Sequence, residues 1–404
     1  MAKSKGKPVR LAIVGCGGMA GAHLQGYEEL WQRGERRFEL VAAVDEVEQR
    51  AQGFAERIEG FSGAKVATFK SIDQLLNSGL AVDGADICSP HGLHHVLACQ
   101  LLAGGVNVLV EKPIGITVRA SKKIIAAAKR YKRVAATAEQ CRRSIGQRTI
   151  HWAFNESGLL GAPRFWLAAS KGWQDPGQVP EWHWRADRRL GGCGMVMDSG
   201  AHWVDSMRYF FGEIDSVYAR VEQMYPRPHQ KGARQVNDAR EDFWTSIFNF
   251  KSGLVGTWTW TISAPGEAFT HLSFTGEKGA IVDTDIFHPA AFQARGQCQL
   301  LDGTTYSMGK LQELYLESLS ARQKERLFPY GITGGVTLEL WDFIDALSTG
   351  RAVEIDAEEG LRSKAVSEAV YESGKAKQVV KVADVLRGKV DAYQRDVDRY
   401  WKLI

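Results

Sequence analysis

Two short stretches carry residues whose type and spacing suit proton transfer. In GGCGMVMDSGAHWVD, residues 191–205, Asp198 and His202 stand four apart behind a glycine-rich turn. If a helix begins near Asp198, that spacing puts the carboxylate and the imidazole on one face, where they could serve as an acid-base pair near neutral pH. A buried histidine with a satisfied partner fits the same spacing. Asp205, a turn further on, reads as structural. The second stretch is NVLVEKP, residues 107–113, where Lys112 follows Glu111 at a strand end. A lysine there, its pKa lowered by burial, could hydrogen-bond or deprotonate a hydroxyl. A surface ion pair between Glu111 and Lys112 is the competing reading, and Pro113 fixes the direction of the chain.

The segment that must hold a ligand beside them is GCGGMAG, residues 15–21. It lies between an apolar run and a helical pattern. Gly15 permits a tight turn, Gly17 lets the backbone approach a pyrophosphate, and Ala20 allows close helix-to-strand packing. The first N–H groups of the new helix, around Gly18 and Met19, then face negative charge. Asp45 ends the next apolar run, VAAVD, where a carboxylate can accept hydrogen bonds from an adenosine ribose and repels a 2'-phosphate. NAD is therefore the expected cofactor, with NADP the alternative. Asp45 also suits a helix N-cap, and the two roles are compatible.

These motifs sit on a regular pattern. Strands are expected at VRLAIVG, FELVAAVD, ADICS, NVLVEK and RVAATAE, with helices over 19–33, 47–59, 94–103 and 117–131. SIDQLL opens with a capping box, Ser71 to Gln74. Strands alternating with helices predict an α/β fold, a doubly wound parallel Rossmann sheet over 9–139 behind a basic tail, 1–8. Beyond it, 140–404 is expected to form a second α/β domain. Its apolar runs RFWLAAS, SVYARVEQM, DFWTSIFNF, GLVGTWTWTI, HLSFTG and GAIVDT predict a large, mostly antiparallel sheet with one face open. Helices over 147–156, 336–347 and 357–372 complete that domain, followed by a charged, helical tail over 384–404.

Composition narrows the function classes. The chain has 404 residues, 44% apolar and 24% charged, with a net charge of +4, so neither nucleic acid nor a membrane surface is an expected partner. No apolar stretch suits a signal peptide or a membrane span, and a cytoplasmic location is the default expectation. Cys16, Cys88, Cys99, Cys141, Cys193 and Cys298 are scattered without metal-ligand spacing, so no metal is expected.

Taken jointly and in order, GCGGMA, Asp45, DICSPHGLHH, NVLVEKP and GGCGMVMDSGAHWVD resemble the Gfo/Idh/MocA oxidoreductases, nearly end to end. The resemblance implies a Rossmann domain followed by a sheet domain that supports the substrate and usually the contacts of a homodimer or homotetramer. It also implies hydride transfer between NAD(P) and a secondary hydroxyl of a sugar, glycoside or cyclitol. Lys112 then matches the lysine of the EKP motif, and Asp198 and His202 the D-x-x-x-H pair; the resemblance implies that the lysine and the histidine share proton transfer and substrate positioning, while the aspartate binds substrate or orients the histidine. SPHGLH stands where the family has TPNxxH: Ser89, Pro90 and His94 match, and His91 replaces the asparagine. Those four, with Glu111, Glu139 and Gln140 of AEQCRRS, are expected near the cofactor. Cys193 departs from the usual GGG.

Substrate choice is expected from the loop between Lys171 and Arg189, with Trp173, Trp182 and Trp184 for sugar faces and His183 and Arg185 for hydroxyls. Packing aromatics and a solvated arginine are the alternative there. Two other functions remain open. One is a glycoside hydrolase that oxidises its sugar transiently on bound NAD; the other is a non-catalytic sensor of the cofactor, since fold alone does not fix function.

Overall fold

The computed structural model describes residues 7–192, 194–238, 240–283 and 296–404, the side chain of Asp283 excepted. Most of the tail 1–8 therefore lies outside the described residues, as do Cys193 and Thr284. The chain forms two compact units, one of residues 1–140 and 328–361, the other of 141–327 and 362–404. The first thus includes the helix Gly335–Thr349, which the sequence pattern alone grouped with the second domain. Its apolar stripe explains the placement: Leu340 packs on the helix Gly18–Gln32 so closely that a Cβ at Gly26 would meet it at 2.8 Å.

In the first unit the strands are β1 (Val9–Val14), β2 (Phe38–Val44), β3 (Ala67–Phe69), β4 (Gly84–Ile87), β5 (Asn107–Glu111) and β6 (Ala135–Ala138). They pair in the order β3-β2-β1-β4-β5-β6, all parallel. This is the doubly wound order, which reverses between β1 and β4 and opens a crevice at the carboxyl ends of those strands. Between the strands lie α1 (Gly18–Gln32), α2 (Glu48–Ser62), α3 (Ile72–Asn77), α4 (His94–Ala103) and α5 (Val118–Tyr131). β3 escapes the sequence reading because three edge residues, two half-buried and one exposed, carry too short a pattern to detect. The Ser71 cap is present, its hydroxyl accepting from the Gln74 N–H at 3.2 Å.

The second unit is built on a nine-stranded sheet. Its helices α6 (Ile145–Asn155), α7 (Arg188–Gly191) and α8 (Gly200–Phe211) are interleaved with β7 (Pro163–Lys171) and β8 (Ile214–Glu222). A small hairpin of β9 (Pro228–Lys231) and β10 (Arg234–Asn237) follows, then β11 (Phe243–Phe250), β12 (Val255–Thr261), β13 (Phe269–Gly276), β14 (Gly279–Asp283), β15 (Gln297–Leu300), β16 (Thr305–Ser307) and β17 (Val380–Lys381). Neighbours in the large sheet are antiparallel except β7 and β12. Along each strand alternate residues are buried: Trp166 and Ala168, then Trp244, Ser246 and Phe248, then Trp258 and Trp260. On the opposite face Phe165, Tyr218, Ile247 and Phe269 stay exposed. No helix among the described residues is long and apolar enough to cross a membrane.

The buried face is packed by contact of aromatic rings. Trp244 stacks on Trp260 at 4.5 Å between centroids, and Trp203 of α8 on Trp258 at 5.7 Å. Trp166 lies against Gly256, where a Cβ would fall 1.8 Å from its Nε1. Gly256→Ala must therefore displace an indole from the core. It is expected to cost about 3 kcal/mol by overpacking, read as a lowered midpoint in chemical denaturation.

Candidate functional site

In the first unit the glycine turn is held open by its neighbours. Gly15 has φ +87, and a Cβ there would stand 2.7 Å from the Cys88 carbonyl oxygen, so only glycine fits so near the end of β4. Gly17 and Gly18 have no atom within 4 Å of where a Cβ would be, leaving the start of α1 clear. Asp45 is anchored rather than loose: Oδ2 accepts the Cys16 N–H at 2.8 Å and Oδ1 the Val47 N–H at 2.9 Å. Each oxygen keeps a second lone pair, which suits a ribose diol. Gln140 Oε1 is buried with no hydrogen-bond partner among the described residues. A clear helix start, an anchored acid and an orphaned amide oxygen fit a dinucleotide.

The loops around this turn are cross-linked. His94 faces the Pro113 carbonyl through Nδ1 and the Ser89 carbonyl through Nε2, each at 2.9 Å, joining the SPHGLH loop to the EKP turn. Burial lowers its pKa, so the neutral ring donates to one carbonyl at a time. His91 is buried with its ring centroid 5.7 Å from that of His94, while Ser89 and Pro90 are half-buried. The Lys112 N–H donates to Glu111 Oε2 at 3.0 Å, and the next peptide bond, Lys112 to Pro113, is cis. Met19 is half-buried and Ala20 fully buried.

In the second unit α8 begins at Gly200, not at Asp198. Asp198 belongs to the preceding turn, its N–H donating to the Gly194 carbonyl at 3.1 Å, so a shared helix face does not relate it to His202. Gly200 carries the boundary. A Cβ there would meet Trp258 at 2.8 Å and the Met195 carbonyl at 2.9 Å. Asp198 instead accepts Arg185 Nε at 2.5 Å, an ion pair between two residues both expected to face substrate. His202 is buried in the first turn of α8. The turn itself is pinned by Glu241, whose two oxygens accept the N–H groups of Gly194 (3.1 Å) and Val196 (3.0 Å) while Tyr371 donates to it at 3.0 Å. That clamp is absent from the motif-based reading because Glu241 lies on no motif.

The substrate loop is only partly packed. Trp173 is 44% exposed and meets Tyr225 edge-on at 5.7 Å. Arg185 lies over Trp184 at 4.3 Å, and His183 Nδ1 accepts the Arg185 N–H at 3.3 Å. Lys231 caps the ring of Trp182 at 3.7 Å. Asp205, by contrast, is buried between the Arg142 guanidinium, with Nε at 2.6 Å, and the Ser363 hydroxyl at 2.8 Å.

A sequence profile described as "Oxidoreductase family, NAD-binding Rossmann fold" matches residues 9–139, and one described as "GFO/IDH/MocA C-terminal domain" matches 153–282. The chain is 31% identical over 227 residues to inositol 2-dehydrogenase of Rubrobacter xylanophilus, a stretch covering 54% of this chain and 57% of that one. Levoglucosan dehydrogenase of Pseudarthrobacter phenanthrenivorans is 24% identical over 319 residues, 74% of this chain and 80% of its own. Among solved structures, levoglucosan dehydrogenase in complex with NADH and levoglucosan superposes with a TM-score of 0.75 at 19% identity, covering 93% of this chain and 99% of that one. The last likeness is one of fold.

The Arg142–Asp205 pair is a structural support for α8, and breaking it removes a carboxylate from a buried guanidinium. Asp205→Ala is expected to destabilise the protein by about 3 kcal/mol or more, measured by denaturant titration.

Proposed function

The chain belongs to the Gfo/Idh/MocA oxidoreductase family, and on that premise we propose that it oxidises or reduces a secondary hydroxyl carbon of a sugar, glycoside or cyclitol with NAD. The reading rests above all on Lys112, a lysine at the carboxyl edge of the NAD-binding sheet whose peptide is locked to Glu111. Relatives named as dehydrogenases of inositol and of levoglucosan support the substrate class.

Oxidising a secondary alcohol removes a proton from oxygen and a hydride from carbon, and the nicotinamide, when bound, takes that hydride. Gly15, Gly17, Gly18, Met19 and Ala20 receive its phosphates, Asp45 its ribose, and Ser89, Pro90, His91, His94, Glu111 and Gln140 line its remainder. Lys112 hydrogen-bonds the reacting oxygen, and His202 is the second group proposed for its proton. Asp198, paired with Arg185, accepts from a neighbouring hydroxyl. Trp173 and Trp184 offer ring faces to the apolar side of a sugar, and His183 and Arg185 offer polar contacts.

The open face of the large sheet is the surface we assign to pairing with further copies of this chain. Ile247 stands opposite Tyr218 and Thr257, and Val255 opposite Phe165, giving two adjacent rows of exposed apolar side chains. Ile247→Glu is expected to shift the protein toward monomer in light scattering coupled to size exclusion; an unchanged mass places the contact elsewhere.

The activity is tested by incubating the protein with NAD and a panel of sugars, cyclitols and glycosides while following NADH and free aglycone together. NADH without aglycone is the expected result. Aglycone without net NADH supports a hydrolase, and neither product across the panel leaves the sensor reading standing. Lys112→Ala and His202→Ala should each lower turnover about a hundredfold or more while NAD binding persists.

A further inference from the structure

His23 sits in α1, fully buried in the first unit, and no sequence motif drew attention to it. Both of its ring nitrogens face carboxylates. Nδ1 is 2.9 Å from Asp86 Oδ2 and 3.1 Å from Oδ1, on β4. Nε2 is 3.0 Å from Glu111 Oε1, at the end of β5, and 3.4 Å from Glu339 Oε1, on the helix Gly335–Thr349. Around them, the Tyr27 hydroxyl donates to Asp86 at 3.2 Å and Cys88 Sγ lies 3.5 Å from Nδ1.

A neutral imidazole has one N–H and one lone pair. Either tautomer would aim that lone pair at an acidic oxygen within hydrogen-bonding distance, so this geometry calls for two donors. The ring is then a cation without water, which is tolerable only inside such a cage of acids. Burial opposes the charge, yet Asp86 beside the ring lifts its pKa well above the ordinary imidazole value. Glu111 carries the effect outward: one oxygen takes His23 Nε2, the other the N–H of Lys112.

We propose that His23 is a positioning residue: as a permanent imidazolium it fixes Glu111 and, through it, the Lys112 peptide, and it offsets the negative charge of Glu111 felt by the Lys112 amine. This rests on the proton-transfer role given to Lys112 above. The charge effect has two signs. Without the cation, Glu111 is unopposed and Lys112 holds its proton more tightly; without the Glu111 charge, Lys112 releases it more readily.

The test uses the full chain saturated with NAD. With nitrogen-15-labelled histidine, the imidazole of His23 should keep both ring nitrogens protonated from about pH 6 to about pH 9, where an ordinary histidine is neutral over most of the range. A lone pair on either nitrogen at about pH 8 overturns the proposal. With the most active compound of the panel, His23→Gln should lower kcat about tenfold, keep the NAD Kd within about threefold, and move the ascending limb of the kcat–pH profile up by about one unit. Glu111→Gln, which keeps an acceptor for the ring and serves if His23→Gln does not fold, should move that limb down. Unmoved limbs in the folded variants, with Lys112→Ala inactive, remove the role of His23 alone; a fully active Lys112→Ala removes the reading of the site.

Discussion

The first unit depends on how closely the chain leaving β1 passes the end of β4. Only because residue 15 lacks a Cβ can its backbone lie against the Cys88 carbonyl, and only then does α1 start with its first N–H groups clear of the protein. The same approach settles where the rest of α1 runs. It brings His23 down between β4 and β5, against Asp86 and Glu111, and sets the face on which the helix Gly335–Thr349 packs. A steric condition at one residue thus fixes both an open anion-facing turn and a closed charged interior behind it.

Much of this was legible in the sequence, for reasons that are local. The period of apolar residues marked five of the six parallel strands, and glycine spacing marked the turn, because both are properties of neighbouring residues. What escaped is contact between distant positions. His23 meets partners 63 and 88 positions away, and Arg185 meets Asp198 across a loop that carries no periodicity. The start of α8, left conditional near Asp198 by the sequence, falls two residues later at Gly200. Trp258 and the Met195 carbonyl, crowding Gly200, decide where the turn ends and α8 begins.

The second unit shows a different economy of design. Its sheet supplies a stiff aromatic floor, but the turn that carries Asp198 is held by groups from elsewhere: Glu241 just before β11, and Tyr371 and Lys364 of the helix Ala357–Ala376, the lysine touching Met197 Sδ and paired with Glu368 at 2.6 Å. Burial pushes the Glu368 carboxyl up to about 6, so this support is partly protonated in mildly acidic solution. Rigid placement of a polar side chain requires such surrounding contacts, since a loop left alone samples many conformations.

The tail, whose role the sequence did not reveal, closes over α7. Arg188 donates to Asp396 at 2.9 Å and lies over Tyr393 at 4.0 Å, while the Trp401 indole donates to the Arg189 carbonyl at 2.8 Å. Because α7 ends the loop proposed for substrate choice, that proposed unit is split into pieces 208 positions apart. Grafting the loop into a relative without residues 393–401 would transplant the recognising side chains without the clasp that aims them, and chimeras of this fold should be cut with both pieces together.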